Sequence, residues 1–157
     1  MTPQSAHDGR EETEEEKLDR NWGELLQELR ITQTGLQLLS GFLLTLAFTQ
    51  VFVSLDRVQK GLYLALVLVA ALAVGLNMLP VMLHRRVFGE HVKQRVVEVG
   101  HLVAQVVIAA IAVLVVGMAT LIFSVVTSWV VGIVVGAVLA VVLAVVLAVL
   151  PARLDPR

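Results

Sequence analysis

The run LVAQVVIAAIAVLVVGMATLIFSVVTSWVVGIVVGAVLAVVLAVVLAVL, Leu102 to Leu150, holds 49 residues and no charge. As one helix, at about 1.5 Å per residue, it would reach roughly 70 Å, more than twice the ~30 Å hydrocarbon core of a bilayer. It therefore folds back once. The turn falls at Ser124-Val-Val-Thr-Ser128, which predicts two spans, Leu102–Phe123 and Trp129–Leu150, in a tight hairpin with Thr127 or Ser128 capping the last helix.

Two further uncharged runs lie upstream, Leu36–Leu55 and Leu62–Leu83. None of the four alternates polar and apolar residues as a barrel strand does, so helices are the spanning elements. The expected fold is all-α and integral to the membrane, with four transmembrane helices over about 31–55, 61–83, 97–123 and 128–150. Composition agrees. Hydrophobic residues make up 57% and charged residues 16%, against roughly 45–50% and 25% in soluble domains. Mean hydropathy is +0.84. A net charge of −1 excludes a basic nucleic-acid binder, and the absence of cysteine excludes disulfides and thiolate metal sites. A cleaved signal peptide is not expected, because the first apolar run begins some 35 residues in, behind an acidic segment.

Orientation follows from Lys and Arg. Ten lie in the N-terminal segment, the 84–101 connection and the tail, and only Arg57 and Lys60 lie on the other side. The positive-inside rule places both termini in the cytoplasm and the protein in the inner membrane. The four segments expected are an acidic disordered tail over 1–12, an amphipathic cytoplasmic helix over 13–30, the transmembrane domain over 31–152 and a short tail over 153–157. Thr13 and Glu16 have capping-box spacing, and Leu18, Trp22, Leu25, Leu26 and Leu29 form one apolar stripe behind them. Residues 1–30 carry nine acids against four bases. That helix either packs across the cytoplasmic ends of the bundle, near Arg85, Arg86, Lys93 and Arg95, or lies at the interface with a solvated acidic face.

Two stripes go beyond bare hydrophobicity. Ser128, Gly132, Gly136, Ala140, Ala144 and Ala148 recur every fourth residue and predict a close helix–helix contact, within the chain or with another subunit. Gln33, Gln37, Gly41, Thr45 and Thr49, with Thr34 beside them, form a polar stripe that either bonds neighbouring helices or lines a path. Pro80 cannot donate to the carbonyl of Leu76, so the second span should bend near Asn77, whose amide then satisfies a neighbouring helix or forms a polar site.

No span holds a carboxylate, and the single Glu98-x-x-His101 pair falls short of a carboxylate-bridged metal site. No phosphate loop or nucleophile arrangement stands out. An enzyme is not expected, nor a cofactor, a metal or a nucleic-acid partner. The expected partners are the lipid bilayer and either further copies of the chain or another membrane protein. The leading reading is an assembly or regulatory protein whose recognition surface is Glu24, Gln27, Glu28, Arg30, Gln33, Thr34 and Gln37 with His84, Arg85 and Arg86. Thr45 and Asn77 are further polar candidates, and Gly132, Gly136 and Ala140 are the packing candidates. The other reading is a small transporter or channel lined by the first-span stripe.

The string RNWGELLQELRITQTGLQL, Arg20 to Leu38, followed by Gly41-Phe42-Leu43-Leu44, resembles the start of a small bacterial membrane family of unknown function. A second match is Leu79-Pro80-Val81 with His84-Arg85 and Phe88. The resemblance implies a short four-helix membrane protein with an amphipathic N-terminal segment, and some members are labelled sodium:proton antiporters. The chain departs from the family pattern at Ala47 and Val51, where members carry Pro and Arg.

Overall fold

The computed structural model describes residues 13–86 and 93–154. They form six helices: α1 Glu14–Leu46, α2 Gln50–Ser54, α3 Arg57–Asn77, α4 Leu79–Arg86, α5 Lys93–Val126 and α6 Trp129–Leu154. Among the described residues there is no strand. Three helices are long and apolar enough to cross a membrane: Arg57–Met82, Glu98–Val126 and Trp129–Val149. The expected acidic tail over 1–12 lies outside the described residues.

Helix α1 opens on Thr13, whose hydroxyl accepts from the Glu16 amide while the Glu16 carboxylate accepts from the Thr13 amide. It then runs without a break through the expected boundary at residue 30. The amphipathic segment is thus the first part of a single 33-residue helix, roughly 50 Å long. It does not lie across the ends of the bundle. Its apolar stripe runs along α5 instead, where Leu25 and Leu29 are buried with Ala104 and with Trp22 against them. A Cβ at Gly100 would collide with the Leu25 side chain, so the helices meet there at glycine distance.

Residues 36–55 are not the single helix that their uncharged run predicts. The ladder stops at Leu46 and resumes at Gln50. A helix end leaves its last carbonyls without intrahelical donors, and here those of Leu43, Thr45 and Leu46 find others. The buried Tyr63 hydroxyl donates to the Leu43 carbonyl at 3.0 Å. The Phe48 amide donates to Thr45, and the amide and hydroxyl of Thr49 both donate to Leu46. The break therefore leaves these groups satisfied in apolar surroundings, with no proline involved.

The core is a three-helix seam of Leu36 and Leu43 from α1, Tyr63, Leu66, Ala70 and Ala73 from α3, and Val103, Val107, Leu114 and Leu121 from α5. Steps of three, four and seven residues keep one face of each helix on a shared axis. Helix α6 supplies none of these residues and lies along α5. The buried share of its span is 11%, against 28% for Arg57–Met82 and 22% for α5.

Two expected breaks are present. The second span divides at Met78, between α3 and α4, two residues before Pro80. The hairpin turns between Val126 and Trp129, where the Val131 amide donates to the Ser128 hydroxyl at 3.4 Å.

Candidate functional site

Polar side chains gather in three places, two joining helices and one facing outward. At the Asn77 end of α3, the Asn77 amide donates to the Leu29 carbonyl at 3.2 Å, and the Thr32 hydroxyl lies 3.1 Å from the Asn77 carbonyl oxygen. The same hydroxyl stands 3.0 Å from the Leu29 carbonyl, so its one proton serves two acceptors. Both side chains are buried. Asn77 thus ties α3 to α1, as expected for an amide beside the Pro80 bend. It is a structural joint rather than an open polar site.

At the opposite end, Asp56 caps α3 through the amides of Val58 and Gln59, both at 2.8 Å. The Gln59 side chain returns to the Asp56 amide and donates onward to Ser124 on α5. The Trp129 indole of α6 donates to Asp56 at 2.9 Å. Lys60 donates to the Val53 carbonyl at the end of α2 and stands 6.0 Å from the Phe52 ring centroid. The carboxyl of Asp56 is held below its ordinary range, chiefly by the Gln59 amide and next by the Trp129 indole, with burial opposing. Sequence reasoning missed this clasp. Its one legible signal was the Asp56-x-x-Gln59 spacing, a capping box written with an acid at the cap.

The third place is the outer edge of α1. Gln37, Gly41 and Thr45 are exposed, and Gln33 is partly so. Among the described residues the stripe bonds no neighbouring helix of the same chain. Thr34 and Thr45 instead donate to Arg30 and Gly41 of their own helix, at 3.0 and 2.8 Å. Among the described residues the Gln37 side chain has no hydrogen-bond partner. In hydrocarbon, an unpaired carboxamide costs about 1–3 kcal/mol on the mutational scale. Continuing along the same helix, Glu24, Gln27 and Arg30 are exposed and Glu28 is half-buried. Arg20 lies 3.9 Å from Glu24, an exposed pair worth at most ~0.5 kcal/mol. His84, Arg85 and Arg86 sit on α4, and their side chains lie outside the described residues.

The small-residue stripe of α6 divides. A Cβ at Gly132 would stand 2.7 Å from the Thr120 carbonyl oxygen and 2.9 Å from Ser124, and one at Gly136 would strike the Thr120 hydroxyl. The partner left open by the sequence is therefore α5 of the same chain. Ala140 is exposed in the chain, and with Ala144 it lines an apolar groove of about 560 Å³ between α3, α5 and α6. The glycines draw the first two turns of α6 onto α5, and the alanines further on are not covered by it.

A family of unknown function, DUF6328, matches residues 11–151. The chain belongs to this family. No curated protein and no solved structure matches it. Within this DUF6328 chain the match takes in all three polar clusters.

Proposed function

We propose that this DUF6328 chain is a non-enzymatic, four-span inner-membrane protein with both termini in the cytoplasm, and that α1 is its recognition element in assembly. The observation that carries the reading is the division of α1 into two edges. Leu25, Leu29, Leu36 and Leu43 are buried, whereas Gln27, Arg30, Thr34, Gln37 and Thr45 are turned away from the chain's own core. A helix meant only for lipid contact would carry apolar residues there. The recognition surface continues from Glu24 and Glu28 toward the basic α4 segment, His84, Arg85 and Arg86.

Four crossings fit the geometry. Thr32 bonds Asn77 at one end of α3, and Leu55 leads through Asp56 into the other end. Residues 32–55 therefore run the length of α3 in the opposite direction, with the break at Leu46 inside the crossing.

The test is native mass spectrometry of the chain freshly released from membranes into mild detergent. A mass above that of one chain is expected. Single chains at every concentration overturn the reading.

The outward stripe also favours a second reading, a transport path enclosed when several copies turn Gln37 and Thr45 toward one axis. The resemblance, with its antiporter label, would make cations or protons the cargo. Flux in proteoliposomes that falls on Gln37→Leu and Thr45→Val would establish it, and no flux across monovalent cations and protons would remove it.

A further inference from the structure

Gln33, Gln37, Gly41 and Thr45 follow one another at four-residue intervals along the exposed edge of α1. Measured from Thr32, level with the end of α3, Gln37 stands about 8 Å and Gly41 about 13 Å further toward α2. Both therefore lie alongside α3, whose 21 residues match the thickness of hydrocarbon. Nothing comes within 4 Å of a Cβ built at Gly41, and the Gln37 side chain has no hydrogen-bond partner among the described residues. The flanks are apolar and uncovered: Leu38 is 76% exposed and Phe42 51%.

We propose that this edge is the contact with a second copy of the chain, two α1 helices packing in parallel with Gln37 against Gln37 and Gly41 against Gly41. The inference rests on the assembly reading above and names its partner. Copies inserted the same way into one membrane are related by an axis along the membrane normal. Each residue near that axis then faces its own counterpart at the same depth. A Glu or Arg there would meet a like charge. A carboxamide is donor and acceptor at once, so two copies of Gln37 close on each other and leave neither unpaired. One turn deeper, Gly41 removes side-chain bulk where two backbones pass closest, the condition under which packing drives association in lipid. Thr45 donates its hydroxyl proton to Gly41 of its own helix, so it does not compete for the Gln37 pair.

The test places the photo-cross-linking residue p-benzoylphenylalanine at Leu38 in intact membranes, with a control probe at Val142, 51% exposed on α6. An adduct of twice the chain mass is expected from Leu38 and not from Val142. Gln37→Leu and Gly41→Leu should each reduce it about threefold to tenfold. Neither substitution touches the buried core, so an unchanged unfolding temperature separates a lost contact from a lost fold. Doubled mass from both probes alike, or an adduct indifferent to Gln37→Leu, overturns the proposal. An adduct of any other protein mass overturns the second copy but keeps the assembly reading, and adducts to lipid alone overturn both.

Discussion

The indole nitrogen of Trp129 donates to Oδ2 of Asp56 across 73 positions of chain, fastening the first turn of α6 to the N-terminal cap of α3. Helix α6 adds nothing to the buried seam and packs along α5, so this bond is its tie to α3.

Acid should loosen that fastening. The native carboxyl of Asp56 titrates below its ordinary value, so its contribution to stability is complete above the unfolded value of about 3.9 and is lost as pH falls through the lower native one. Unfolding temperature compared between wild type and Asp56→Asn should differ by a constant amount above about pH 5 and converge in stronger acid. Trp129→Phe should shrink the constant difference.

Leucine at Gly136 must displace Thr120, whereas Val134, 55% exposed, has room. Gly136→Leu should cost about 1–3 kcal/mol, as overpacking does, and Val134→Leu within about 0.5 kcal/mol. Ala140→Leu should resemble Val134→Leu, since Ala140 faces the groove. Aggregation onset in one detergent ranks the three, and equal shifts would count against the glycine contact.

Two buried donors can be deleted singly. Tyr63→Phe removes the hydroxyl that serves the Leu43 carbonyl, and Asn77→Leu removes the amide that serves Leu29. Each leaves an acceptor without that donor and should lower stability by about 1–3 kcal/mol. Equilibrium unfolding in mixed micelles measures both. Tyr63→Phe should in addition speed hydrogen exchange at Phe48 and Thr49, next to the break.

Topology is read by impermeant maleimide labelling of single cysteines, since the chain has none of its own. Gln59 is buried against Ser124, so the outer reporter belongs at Val58, 65% exposed. In intact spheroplasts Val58→Cys should react, while Gln4→Cys, Gln94→Cys and Asp155→Cys should not. Reaction at Gln94→Cys would reverse the orientation drawn from Lys and Arg.

The helical class, the hairpin at 124–128 and the bend before Pro80 were legible, because each rests on a local property: span length, the hydroxyls of a short turn, a missing amide proton. The break at Leu46 was not, because it depends on the Tyr63 hydroxyl seventeen positions further on. Thr45, Thr49 and Gln50 stand at it, but as a polar stripe they fit a continuous helix equally well. The polar stripe of α1 was found as far as Thr45, with Thr49 falling beyond the end of the helix, but periodicity gives a face without saying what it faces. The apolar edge of Leu25, Leu29, Leu36 and Leu43 took the core, and the stripe was left outside. For α6 the whole circumference reads alike, so only close approach to Thr120 told its two glycines from its alanines.

The turn between α5 and α6 has a bearing on how the protein is made. Residues 124–128 carry no charge, and the hydroxyls of Ser124 and Thr127 already donate to carbonyls of α5. Little water would have to be stripped from such a turn on entering a bilayer, so α5 and α6 are suited to enter together as a closed hairpin. Their fasteners, Asp56 and Gln59, are synthesised some seventy residues earlier and wait on α3. Helix α6 thus leaves the ribosome after the latch that receives it has been made.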